Sequence, residues 1–137
     1  MSRYKFRGKA TSVERLDELE ISHKNGWVYG SLIWNNGSPF IVGDIGDHDE
    51  DFIQPEWWMP VIPESVGQYT GLCDKHGTEI FEGDVIQYTL PDEGKTRTLD
   101  VKSVNGQYRT DRSTVYAVHR ICEIIGNIYE NKDLLEA

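Results

Sequence analysis

Three Asn-Gly pairs punctuate the chain, at Asn25-Gly26, Asn36-Gly37 and Asn105-Gly106. Asn and Gly tolerate the positive φ that a tight reversal demands, so each pair predicts a turn and not a helix. The segments between reversals are short runs of aromatic and β-branched residues, which suit a pleated strand. Trp27 to Trp34 reads as one strand, Asn35-Asn36-Gly37-Ser38 as a hairpin loop, and Pro39 to Val42 as the return strand. Arg3 to Gly8 alternates, which sets Arg3, Lys5 and Arg7 on one face of a strand and Tyr4 and Phe6 on the other. In the second half, Gln68–Leu72, Ile80-Phe81, Val85–Leu90, Thr96–Val101, Tyr108, Val115–Val118 and Cys122–Tyr129 all read as strand material. Turns separate them at Asp74-Lys75-His76-Gly77, Glu82-Gly83-Asp84 and Pro91-Asp92-Glu93-Gly94.

Helical signals are few. Thr11-Ser12-Val13-Glu14 has capping-box spacing, and Val13, Leu16 and Leu19 follow at intervals of three, predicting a short helix over residues 12–20. Asn131 is placed to cap a terminal turn, Lys132 to Leu135, with Leu134 and Leu135 docking on the body. The acidic stretch 43–51 reads as a loop, and Pro55, Pro60 and Pro63 exclude helix from there to residue 64 and favour extended chain. The expected fold is therefore all-β (mainly β), built from short antiparallel strands with a small barrel in the C-terminal half. The boundary is expected near Pro63–Val66, dividing an N-terminal β region with a helical insert (1–65) from a barrel region (66–137).

A chain of 137 residues with 11% aromatic content has enough apolar surface to build a core without disulfides or metal. No apolar run approaches the roughly 20 residues a membrane-spanning helix needs, and the basic start lacks the apolar stretch of a signal peptide. A cytoplasmic protein with no membrane partner is expected, its two cysteines, Cys73 and Cys122, reduced. Net charge is -9, but it is unevenly spread. Arg3, Lys5, Arg7 and Lys9 occupy the first nine residues with no acid, and six basic residues fall between Lys95 and Arg120. Residues 44–56 hold Asp44, Asp47, Asp49, Glu50, Asp51 and Glu56 with no base.

Chemistry is sparse in this pattern. Cys73/His76 and His119/Cys122 make four ligands on paper, but a structural zinc site is not the favoured reading. The acidic loop lacks the glycine and glutamate positions of a calcium-binding hand, so a solvated loop is expected. No nucleophile elbow and no phosphate-cradling glycine loop is present, so neither a catalytic residue nor a cofactor is assigned. Small β-barrels bind single strands through aromatic residues beside basic rows, and Arg3, Lys5 and Arg7, helped by Tyr108, Arg109 and Arg112, are candidates for such a row. The acidic net charge favours internal pairing of those cations instead. Trp57-Trp58 is the most suggestive apolar pair: in extended chain two neighbours face opposite ways, one toward the core and one toward a partner protein.

One stretch resembles a known family. Val66-Gly67-Gln68-Tyr69-Thr70-Gly71-Leu72, then Asp74-Lys75, Gly77 and Glu79-Ile80-Phe81-Glu82-Gly83-Asp84-Val85, resembles the signature of the YopX family of phage and prophage proteins. Tyr4 to Gly8 with Trp27 to Leu32 is similar to the family's opening, and Glu123 to Asn131 with Leu134-Leu135 to its ending. The resemblance implies an all-β fold with an SH3-type barrel and action inside a bacterial cell, and it supplies no catalytic residue. Its glycines sit at turns, Asp74 and Asp84 are placed to cap them, and Tyr69, Leu72, Ile80, Phe81 and Val85 are core candidates, so the motif specifies fold first. Gln68, Thr70 and Glu82 remain as candidates for a shared binding surface. The combined expectation is a non-enzymatic module that binds another protein, with self-association unsurprising. Nucleic-acid binding is the first alternative, and competition with DNA for a host factor the second.

Overall fold

The computed structural model describes residues 5–43, 45–48 and 53–135, and Arg3 and Tyr4 lie outside them. Two compact units divide the chain, residues 1–68 and 69–137. Among the described residues the fold is mainly β, with antiparallel pairing throughout.

The first unit contains β1 (Phe6–Lys9), α1 (Val13–Glu18), β2 (Trp27–Asn35), β3 (Ser38–Val42), β4 (Ile45–His48), β5 (Ile53–Pro55), β6 (Trp58–Pro60) and the start of β7 (Gly67–Cys73). Its main sheet runs in the order β6-β3-β2-β1-β7. Asn36 and Gly37 have φ of 53° and 79°, the mirror-image turn whose twist matches that of its strands. This two-residue loop sets the β2–β3 register, with Asn35 opposite Ser38 and Ile33 opposite Phe40. Asn25-Gly26 reverses the chain with the same two positive φ angles. One face of the sheet buries Val28, Ile41 and Met59 with Leu16, Ile21, Ala10 and Val61. A β-carbon on Gly30 would collide with the Val42 carbonyl oxygen, so the close crossing of β2 and β3 requires glycine.

The helix is shorter than the predicted 12–20. Ser12, not Thr11, is the cap, and its hydroxyl accepts from Arg15 N at 3.2 Å. Of the three expected apolar positions only Leu16 is buried; Val13 and Leu19 are exposed, and Ile21, beyond the helix, takes the second core place. The predicted acidic loop contains β4, paired antiparallel with β5, and Asp44, Asp49, Glu50 and Asp51 lie outside the described residues. Pro63 opens a single 3-10 turn, Pro63–Ser65, where a first-turn proline forfeits no helical hydrogen bond.

The second unit continues β7 and adds β8 (Glu79–Phe81), β9 (Asp84–Thr89), β10 (Thr96–Asp100), β11 (Lys102–Val104), β12 (Gln107–Arg109), α2 (Val115–Val118) and β13 (Glu123–Asn127). A three-stranded sheet, β10-β9-β13, packs Ile80, Ile86, Tyr88, Leu99, Val101, Val115, Val118 and Cys122 into one core. Asn105-Gly106 closes the β11–β12 hairpin with φ of 52° and 80°. β7 also pairs with β8, and no closed barrel is detected among the described residues. Val115–Val118 is a helical turn and not a strand. Thr114 caps it by accepting from Ala117 N, and a spacing of three lets Val115 and Val118 both enter the core, which outweighs their β-propensity. The expected long strand from Cys122 stops at Asn127, bulged between Ile124 and Gly126, where a β-carbon on Gly126 would meet Asn131 Oδ1 at 2.6 Å. That same Oδ1 accepts from Asn127 N at 3.2 Å, so Asn131 ties the strand end and does not cap the 3-10 turn Lys132–Leu134. Leu134 is exposed.

Candidate interaction surface

Pairing across β2, β3 and β6 decides which side chains share a face. Ile33 lies opposite Phe40, Phe40 opposite Pro60, Ser31 opposite Val42, and Val42 opposite Trp58. Leu32, Ile41 and Met59 make the alternate row, which faces the core. The opposite row holds Ile33, Phe40, Val42 and Trp58, of which Val42 is buried and Ile33 and Trp58 are exposed, while Trp34, opposite Pro39, alternates away from Ile33 and stands exposed near the hairpin end. Trp58 and Trp34 are each 55% exposed and Ile33 50%. With Phe40, Val42 and Pro55 they line a shallow depression of about 400 Å³.

Trp57 points the other way. It is half-buried against the core, and its indole covers Gly43, where a β-carbon would collide with Nε1. The Gly43 N–H donates to the Trp57 carbonyl at 2.9 Å, which fixes the backbone just before β6. Extended chain thus sends one indole inward and its neighbour outward. Trp58 also borders a second, larger groove of about 740 Å³ between the α1 segment and β6, lined in part by Ser12, Arg15, Glu20, Glu56 and Trp57.

The other singled-out residues are dispersed. Arg3 is outside the described residues. Arg7 is only 8% exposed, with its guanidinium 4.9 Å from the centroid of the Trp27 ring. Lys9 also lies over that ring, at 5.9 Å, and its ammonium donates to the Asn25 carbonyl. The row that alternation predicts is therefore partly folded onto an aromatic side chain, and Lys5 is its described member with a part-exposed side chain. Gln68 sits in the first unit, opposite Phe6. Thr70 and Glu82 belong to the second unit. The Thr70 hydroxyl donates to the Ile80 carbonyl at 2.8 Å and accepts from Leu72 N at 3.2 Å, which is fold-holding work. The Glu82 charge, after burial, helps push the Tyr108 phenol up.

The four paper ligands are each engaged with protein groups. His119 Nδ1 lies 2.9 Å from the Cys73 carbonyl, and His76 Nε2 lies 3.0 Å from Glu123 Oε2. Cys122 Sγ donates to the His119 carbonyl at 3.6 Å, and Cys73 Sγ contacts the Tyr69 hydroxyl at 3.8 Å. Both cysteines are free. Burial, with the Asp74 charge second, pushes the Cys122 thiol up to about 11, so it carries little thiolate at neutral pH. Burial and the Cys73 contact push Tyr69 up to about 12. Among the described residues no three His, Cys, Asp or Glu side chains converge as a metal cage.

Sequence reasoning missed Trp34, Ile33 and Phe40. The signal was present: a two-residue Asn36-Gly37 loop sets Ile33 directly opposite Phe40, and that register places both on the face that Trp58 extends.

Comparison with known proteins adds a lineage. The structure is similar to protein EF1440 of Enterococcus faecalis, with a TM-score of 0.61 and 21% identity over 99% of this chain and 100% of that one. It is also similar to protein yopX of Bacillus subtilis, with a TM-score of 0.54 and 16% identity over 99% and 100% of the respective chains. At those identities the likeness concerns the fold. No curated protein matches the sequence significantly. The family model for YopX protein matches residues 22–136, most of the chain and all of the glycine-punctuated signature. The chain is a member of the YopX family.

Proposed function

We propose that this protein is a non-enzymatic, phage- or prophage-encoded accessory module that works by binding another protein through the Trp58 face of its first unit. The observation that carries the reading is the cluster of Trp58, Trp34 and Ile33, each half or more exposed around one shallow apolar depression. Single exposed apolar residues are ordinary, but two tryptophans and an isoleucine at one site are costly to leave in water and match the composition of binding hot spots. The placement of Arg7 over Trp27 weakens the nucleic-acid alternative, because that cation is covered within the unit. No helix is long and apolar enough to cross a membrane among the described residues.

The test is quantitative affinity capture from a bacterial lysate with the wild-type chain and Trp58→Ala. Trp58 is exposed, so its truncation leaves the fold intact by circular dichroism. A hot-spot tryptophan contributes about 2 kcal/mol or more, so the specific partner's affinity should fall by roughly 30-fold. Equal capture by both proteins contradicts the reading. A second copy of the chain is the other occupant such a face accepts; sedimentation then shows a dimer that Trp58→Ala dissociates.

A further inference from the structure

Three Asn-Gly pairs reverse this chain, and the fold holds one of them differently from the other two. Asn25, Asn36 and Asn105 have φ of 51°, 53° and 52°, followed by glycines at 89°, 79° and 80°. All three asparagines are exposed. What separates them is the peptide unit that joins each asparagine to its glycine. Between Asn25 and Gly26 that unit is held at both ends. The Asn25 carbonyl accepts from Lys9 Nζ, and the Gly26 N–H donates to His23 Nδ1 at 2.9 Å. A backbone N–H can only donate, so Nδ1 is the accepting nitrogen of the imidazole and Nε2 carries the proton. Nε2 lies 2.8 Å from Asp17 Oδ1, which fixes the ring in that role. The Gly26 carbonyl accepts from Ala10 N at 2.9 Å, and a β-carbon on Gly26 would meet Val13 Cγ2 at 2.8 Å. Among the described residues, the units joining Asn36 to Gly37 and Asn105 to Gly106 make no such bonds. A β-carbon on Gly37 or Gly106 would meet nothing within 4 Å.

That peptide unit is where an asparagine reacts with its own chain. The following backbone nitrogen, its proton lost to water, attacks the side-chain carbonyl carbon. A C–N bond forms, the amide nitrogen leaves as ammonia, and a succinimide ring closes. Water then opens the ring at one of its two carbonyls to give aspartate or isoaspartate, with no change of oxidation state. Glycine adds least bulk to the attack. Closure requires the peptide unit to swing so that its nitrogen approaches the asparagine side chain. In a two-residue hairpin loop, such a swing converts a type I′ turn to type II′; both keep positive φ at the first central residue, and both suit paired strands. Asn36 and Asn105 therefore reach the reactive geometry with β2–β3 and β11–β12 still paired. The Asn25 unit must first break its bonds to Lys9 and His23. We infer that Asn36 and Asn105 are sites of spontaneous deamidation and isoaspartate formation in the native fold, and that His23, oriented by Asp17, acts with Lys9 to shield Asn25. At Asn36 the product has a structural consequence. Isoaspartate routes the backbone through the β-carbon, which lengthens the loop that sets Ile33 opposite Phe40.

The test is peptide mapping by mass spectrometry of the full-length protein aged at mildly alkaline pH, folded and in guanidinium, with isoaspartate resolved from aspartate by chromatography. In the folded protein Asn36 and Asn105 should each convert at least about tenfold faster than Asn25. In guanidinium the gap should close, because all three are then Asn-Gly pairs in open chain. His23→Ala removes the acceptor of the Gly26 N–H and should speed conversion at Asn25 by about threefold or more. The rates at Asn36 and Asn105 should not move in that variant, which serves with circular dichroism as the check that it folds. A folded-state rate at Asn25 equal to or above that at Asn36 or Asn105 overturns the inference, since His23 would then promote attack and not prevent it. A gap that persists in guanidinium overturns it as well, as does an Asn25 rate indifferent to His23→Ala.

Discussion

Asp74→Ala should destabilise the second unit by about 3 kcal/mol or more, because three backbone donors lose one acceptor at once. The Asp74 carboxylate is 7% exposed. Oδ1 accepts from His76 N at 2.9 Å and Thr78 N at 3.0 Å, and Oδ2 accepts from Ile124 N at 3.1 Å. The first two bonds close the turn before β8, and the third ties that turn to β13, so the substitution unfastens a local reversal and a distant strand together. A single unit of this size has only a few kcal/mol to lose. Urea denaturation should show the midpoint falling sharply, and a change within about 0.5 kcal/mol of wild type would contradict the clamp.

The same carboxylate sets a pH dependence. Burial pushes its pKa up, but the backbone bonds from Ile124, Thr78 and His76, with the His76 charge, outweigh burial and hold it below the usual carboxylate range. A folded value below the unfolded one means the contribution is full above the unfolded pKa, near about 3.9, and is lost as pH falls through the lowered folded value. The stability gap between wild type and Asp74→Asn should therefore be constant above about pH 5 and narrow below about pH 4. A gap that widens on acidification would reverse the sign and refute the assignment.

Leu16→Ala should cost the first unit about 2–5 kcal/mol, the usual range for emptying a fully buried leucine site. A six-residue helix does not hold itself in water, so α1 depends on this one docked side chain. Leu19→Ala, on a half-exposed side chain, is the control and should stay within about 0.5 kcal/mol. Equal effects of the two substitutions would show that α1 is not anchored through Leu16.

Much of the fold was readable because its determinants are local. The Asn-Gly pairs need only their own φ angles, and all three reverse the chain where the residues demand it. Helical content was harder. Val115 and Val118 are strand formers taken in isolation, and only burial of both on one side of a capped turn makes them helical. The helix α1 was legible in position but not in its buried face, because Ile21 competes with Leu19 for the core from outside the helix. The mainly β, antiparallel architecture was legible, whereas which strands pair with which is encoded by no local pattern. At the candidate site, the opposed directions of Trp57 and Trp58 follow from extended geometry, whereas the pairing of Ile33 with Phe40 emerges only once the hairpin register is applied. Arg7 alternates as expected, but that its guanidinium lies on Trp27 depends on the pairing of β1 with β2.

Site-specific photo-cross-linking tests the central assignment most directly. A benzoylphenylalanine placed at Trp58 or Trp34 should form a covalent adduct with the bound partner, and one placed at Tyr116, the far more exposed aromatic at 77%, should not. Adducts from position 116 with none from 58 or 34 would move the binding surface to the other unit and contradict the account.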